Sequence, residues 1–322
     1  MKAFLSIFIF CIVLFIYIHI HFHLKTSDDL EIFEIDYPTK NALEDVCDLR
    51  QPITFSIQND KLLHACSQKN ILDRYGAFDV KIRNTQTTLS VEGEKTCENL
   101  HSPIQLHSAL RVIAEDKSAK YISENNNDFL TETGLYKMIR MSDSLLRPYM
   151  VCKTIYDIMI GSSGSSTPLR YNINYRNFFY VTEGTAKVKL IPPRSSKYLQ
   201  AYKDYYHFEF RSPINPWDVQ PQYKNEYGKV QSLDVILKKG DILFVPAYWW
   251  YSITFESNAT TILSMQYRTY MSVVSTLPYF AMHILQRQNT KLDLVPSSKA
   301  VSTTKMHNAV STTKMHNNTN DA

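Results

Sequence analysis

No part of this chain carries a run of lysine and arginine with aromatics between them, and the net charge is only +4 with acids and bases interspersed. A nucleic-acid surface is thereby excluded, because it would need a concentrated positive field. The Gly/Ser run at 161–166 lacks the Lys-Ser/Thr of a phosphate loop, and no helix is expected after it. The histidines assemble no Ser/His/Asp or Cys/His arrangement. What the chain does have is apolar and aromatic content: 44% hydrophobic residues, 21 Tyr and 16 Phe in 322 positions. That suffices for a sizeable folded core.

Charge is also absent from Ala3 to Leu24 (AFLSIFIFCIVLFIYIHIHFHL). At about 1.5 Å per residue this stretch makes a helix of about 33 Å, enough for a bilayer core of about 30 Å. No small-x-small cleavage site precedes Lys25, so residues 1–24 read as a retained single-pass anchor in a lipid bilayer, held through 3–24, and not as a cleaved signal. His19, His21 and His23 read as the wet end of that helix. Lys2 and the α-amino group lie on one side of it, and Asp28, Asp29, Glu31, Glu34 and Asp36 follow on the other. The bias favours a cytoplasmic N-terminus and a lumenal or extracellular body, a type II arrangement. In such a compartment Cys47, Cys66, Cys97 and Cys152 could form two disulfides, with three pairings open. The sequons at Asn258 and Asn317 would be glycosylation acceptors there.

Residues 25–45 are expected to form an acidic stalk and 46–290 the folded body. The body opens with short strands (53–57, 77–82) and helical stretches near 108–112 and 128–139. From Thr154 onward short β-rich runs follow one another, at 154–160, 169–175, 178–182, 186–191, 206–210, 233–237, 241–245, 251–255 and 260–267. That spacing argues a sandwich or barrel. Residues 273–288 suit one amphipathic helix, too short and too interrupted for a second span. The tail, 291–322, repeats AVSTTKMHN at 300–308 and 309–317 without change. Its polarity predicts disorder.

Three motifs stand together: Ile160-Gly-Ser-Ser-Gly-Ser-Ser-Thr-Pro-Leu-Arg-Tyr-Asn172; Asn177-Phe-Phe-Tyr-Val-Thr-Glu-Gly184 running on to Lys189-Leu-Ile-Pro-Pro193; and Gly240-Asp-Ile-Leu-Phe-Val-Pro-Ala-Tyr-Trp-Trp-Tyr-Ser252. In this order they resemble the JmjC and cupin-like iron(II)/2-oxoglutarate oxygenases, nearest to the asparaginyl-hydroxylase type, over residues 46–270. The resemblance implies a mainly β fold with flanking helices, a double-stranded β-helix (cupin or jelly-roll barrel), joined here to the N-terminal transmembrane helix. It also implies an iron site of two histidines and a carboxylate.

This sequence departs at all three ligand positions, which fall on Arg170, Asn172 and Tyr251. A guanidinium has no lone pair and repels a cation, an amide is a poor carboxylate substitute, and a phenol of ordinary pKa is rarely a phenolate. Thr167 matches a position that helps hold 2-oxoglutarate, but the matching lysine position is Ala186. Lys187 and Lys189 fall on the other strand face. The interval from Arg170 to Asn177 is one residue longer than the family's, which predicts a small bulge. Trp249 and Trp250 read as packing. His207 and Glu209 mimic a ligand pair, but on a variable insertion. The expected function is therefore a membrane-anchored binding or structural module without turnover, needing no cofactor, with a small anion or a protein as partner. The alternative is an iron(II)/2-oxoglutarate protein hydroxylase with relocated ligands.

Overall fold

The structure, a computed structural model, describes residues 2–36, 38–85 and 101–289. Cys97, Asn317 and the repeated tail lie outside these residues. The uncharged N-terminal run forms helix α1 (Lys2–Leu24). Its segment Phe4–Leu24, with mean hydropathy 2.4, is long and apolar enough to cross a membrane, and no protein buries it. Its C-terminal end meets the body: His23 packs on Tyr175 at 5.1 Å and the Arg50 guanidinium lies over Phe22 at 5.3 Å.

The segment read as a stalk runs along the body. The Asp28 carboxylate accepts from the Arg194 amide and Asp29 from Gln51. Strand β1 (Phe33–Glu34) pairs in parallel with β2 (Ile53–Ser56). Between them α2 (Lys40–Cys47) starts at Thr39, whose hydroxyl accepts from the Ala42 amide. Arg176, buried, donates to Glu44 and Asp48 and pins α2 down.

Helices continue with α3 (Asp60–Ala65) and α4 (Gln68–Tyr75), capped by Asn59 and Ser67. After β3 (Asp79–Asn84) and β4 (Ser102–Gln105) come α5 (Leu106–Glu115) and β5 (Tyr121–Ser123). The single helix expected at 128–139 is two, α6 (Asn127–Glu132) and α7 (Leu135–Ser142), because Gly134 turns left-handed at φ 75° between them.

The remaining strands are β6 (Val151–Gly161), β7 (Arg170–Tyr171), β8 (Arg176–Glu183), β9 (Thr185–Ile191), β10 (Tyr202–Asp204), β11 (Glu209–Arg211), β12 (Leu233–Lys238), β13 (Asp241–Phe244), β14 (Trp250–Phe255) and β15 (Thr261–Thr269). A short helix α8 (Lys224–Tyr227) precedes β12, and α9 (Tyr270–Ser275) and α10 (Leu277–Asn289) end the described body. The strands make a nine-stranded sheet, β1-β2-β13-β8-β15-β6-β5-β3-β4, and a six-stranded sheet, β10-β11-β7-β14-β9-β12.

These sheets correct the expected fold. The molecule is a mixed α/β protein, 37% helix and 29% strand, and neither sheet closes into a barrel, so the double-stranded β-helix or jelly-roll reading does not hold. Helices α2–α7 cover one face of the nine-stranded sheet through Leu43, Leu62, Ile71, Ile113, Phe129 and Ile139. The other face packs on the six-stranded sheet through Phe179, Val181 and Ile262 against Val188, Ile253 and Phe255. The edge strands β1, β4, β10 and β12 each pair on one side only, so both sheets stay open. Strand β8 is buried on both faces, which explains its unbroken Phe-Phe-Tyr-Val run.

Two smaller expectations also change. The strand expected at 169–175 is only Arg170–Tyr171, because the chain then crosses from one sheet to the other. The extra residue before Asn177 is absorbed in that crossing, so no bulge between β7 and β8 is needed. Of the strand expected at 206–210 only Glu209 and Phe210 are extended, in β11, while 205–208 form the turn from β10. Among the described cysteines none is bonded: Cys47 and Cys66 are buried thiols, both pushed up to about 12 by burial, while Cys152 is exposed.

Candidate functional site

Strand β7 places Arg170 between Tyr251 on β14 and Arg211 on β11, its cross-strand neighbours. Asn172, just past β7, donates from its amide to the Tyr251 hydroxyl at 3.0 Å. The three positions expected to be degenerate thus do converge. What fills the space between them was not foreseen. Glu124 accepts from Arg170 at 2.7 Å on one oxygen and faces Arg83 at 2.6 Å on the other. Glu209 lies 3.8 Å from Arg83 and 4.0 Å from Arg211. Three guanidiniums face two carboxylates, leaving one unit of positive charge.

Local structure holds Glu124 in place. It follows β5 in a turn where Asn125 has φ 63°. The Asp157 carboxylate accepts from the Asn125 and Asn126 amides at 2.8 and 2.7 Å, and the Asn126 side chain accepts from Lys81 and donates to Ser123 and Ile158. Burial would raise the Glu124 carboxyl, but the Arg170 and Arg83 guanidiniums outweigh it and hold it down to about 2. Burial alone would lower Arg170, yet Glu124 more than compensates and keeps it charged. Tyr251, buried, has its phenol raised by desolvation. The phenolate that would ligate a metal is disfavoured.

These residues do not fit an iron(II) ion. The would-be ligands are a cation, an amide engaged by a phenol, and a phenol held protonated. No group of three His, Cys, Asp or Glu side chains able to hold a metal ion exists among the described residues. His207 pairs with Asp204 at 2.7 Å and is half exposed, while Glu209 points to Arg83, so the pair proposed for relocated ligands does not converge.

The cosubstrate positions are structural. Thr167 accepts from the Ile253 amide through its hydroxyl, and its carbonyl accepts from Ser252. The void beside it holds about 10 Å³, at or below the room for one water. Ala186 is buried in the core between the sheets. Lys187 and Lys189 lie on the outer face, sharing Asp234 and stacking over Trp217. Asn177 donates to the carbonyls of Asn174 and Val245, bracing the sheet crossing. Trp249 and Trp250 are fully buried, and Trp250 donates to Ser196. Asn258 accepts from the Ser163 amide and donates to Ala114, and Thr260 of its sequon is buried. A glycan on its side-chain nitrogen would have to displace the Ala114 contact.

Arg83 and Glu124 had no signature in the sequence. The single clue was physical: a buried arginine at 170 requires a carboxylate partner somewhere. Spacing does not say where.

Against known proteins, a family profile described as "Cupin-like domain" matches residues 67–272. HSPB1-associated protein 1 of Homo sapiens is 30% identical over 99 residues, 30% of this chain and 20% of that protein. The matched stretch thus spans about a fifth of that relative's length.

Proposed function

Because the chain belongs to the cupin-like domain family, we propose that it is a membrane-tethered cupin-like module whose metal position has been taken over by protein charge, and that it works by binding without turnover. The observation that carries this reading is the Arg83–Glu124–Arg170 array with Tyr251 and Asn172 bonded to each other. A cation already occupies the place of the metal, and its counter-ion is internal. Kinship with the asparaginyl-hydroxylase branch rests on the Gly240–Trp250 motif and belongs to the same proposal.

The test is metal. Purified full-length protein in detergent, titrated calorimetrically with iron(II) and 2-oxoglutarate without oxygen, is expected to give no heat of site binding. Near-stoichiometric iron uptake at micromolar metal would overturn the reading.

With Arg170 committed to Glu124 and about 10 Å³ left beside Thr167, a small dicarboxylate has no berth there. Partner binding then falls to the outer surface, with α1 as the bilayer tether. The body on the lumenal or extracellular side completes the proposal. Lys2 supports it, whereas the sequon and cysteine arguments lose weight because Asn258 is bonded to Ser163 and Ala114 and Cys47, Cys66 and Cys152 are free thiols. Protease added outside sealed microsomes is expected to spare the body. Digestion of the body there would reverse the orientation.

A further inference from the structure

Apolar side chains from three separate segments lie on or next to α9, the helix that packs on α1. The tip before β6 presents Tyr149 and Met150, 62% and 72% exposed, with Met150 held left-handed at φ 57°. The Met150 carbonyl accepts from the Tyr270 amide at 3.2 Å, which brings the 60% exposed Tyr270 beside the tip. Tyr270 opens α9, fixed by a capping box between Thr269 and Ser272, and α9 packs against α1.

Helix α10 follows with two unlike faces. Tyr279, Phe280, His283 and Gln286 face the body, against Tyr205 and Phe208: His283 stacks on Phe208 at 5.1 Å, Phe280 lies tilted to it at the same distance, and Gln286 accepts from the Tyr205 amide. On the outward face Leu277, Ile284 and Leu285 are all more than half exposed. A helix that buries one face in polar-aromatic contacts and leaves an aliphatic strip outward suits a boundary between water and an apolar phase.

We propose that the protein makes a second, peripheral contact with the bilayer, in which Tyr149, Met150, Tyr270 and the Leu277/Ile284/Leu285 strip rest in the headgroup–acyl boundary around the exit of α1. This inference rests on α1 spanning the bilayer. The argument for lipid as the occupant is continuity: the patch adjoins a helix able to span, through α9, and its tyrosines have the amphipathic rings that settle at interfaces. Lys40, 4.7 Å over the Tyr149 ring, adds a cation at the height of the headgroups. The consequence is orientation. A body held at α1 and again around it lies against the membrane with one fixed face outward.

Full-length protein in liposomes containing a lipid with a photoactivatable acyl chain tests this by mass spectrometry of labelled peptides. Label is expected in α1 and also in the peptides carrying 149–150 and 277–285. The peptide of Ile236, an equally exposed residue on edge strand β12, should stay unlabelled. The double variant Met150→Glu, Ile284→Glu should lose label at those two peptides while α1 keeps its own. Label in α1 alone overturns the inference and leaves the tether standing. Absence of label from α1 overturns both. Cross-linked pairs of copies joined through these residues, in place of lipid adducts, also overturn it.

Discussion

Replacing Glu124 by glutamine is expected to destabilise the fold by about 3–5 kcal/mol, the usual cost of leaving a buried charge without its partner. Both carboxylate oxygens are engaged, one by each of two guanidiniums, and the side chains of Glu124 and Arg83 are 1% and 3% exposed. Without the negative charge Arg83 and Arg170 repel each other in a dry setting. Pairing the change with Arg170→Met removes one of the stranded cations and should recover part of the loss, since Arg83 keeps Glu209 nearby. The measurement is the denaturant midpoint of the full-length protein in detergent. If Glu124→Gln costs less than about 1 kcal/mol, the network is not a closed one. The same titration repeated against pH carries a signature. The Glu124 carboxyl is depressed from an ordinary 4.5 to about 2 in the fold, so its stabilisation is fully present above about pH 4.5 and is lost as pH falls towards 2. The swing is on the order of 3 kcal/mol, and the glutamine variant should lack it.

Trp249→Ala is expected to cost a similar amount, about 3–5 kcal/mol, for a different reason. The indole is fully buried between the two sheets, among side chains such as Leu190, Val245 and Ile253. Its removal leaves a cavity lined from both sheets, which cannot collapse without moving strands. Chemical denaturation with an unchanged m-value would isolate this loss from any change in compactness. A cost below about 1 kcal/mol would place Trp249 at a rim, as a surface platform rather than a packing residue.

These two residues mark how far the sequence could be read. Trp249 lies in the Gly240–Ser252 motif, whose first glycine turns the chain at φ 96° and whose tryptophans read as packing. Most strands between 151 and 269 were legible because alternating or continuous apolar runs set their faces. That Arg170, Asn172 and Tyr251 make poor metal ligands was legible from residue type. Glu124 was not, because its neighbours Ser123, Asn125 and Asn126 look like any polar turn. Its burial is decided by its partners on β3 and β7, about 40 or more residues away in sequence. The closed fold was misread for a related reason. Counting strands from Thr154 onward finds the two sets of strands but does not say that they stay two open sheets packed face to face.

The charge cluster has one more consequence. Arg83 and Glu124 come from β3 and the end of β5 in the nine-stranded sheet, whereas Arg170, Glu209 and Arg211 stand on β7 and β11 of the six-stranded sheet. The two layers are therefore riveted at this end by ions and elsewhere by hydrocarbon. The two kinds of seam answer heating differently. The apolar contribution levels off as temperature rises, whereas the dehydration cost of buried ions goes on shrinking. As the protein warms, the grip between its sheets shifts towards the end where a metal would have opened the site, and that end is the last to gape.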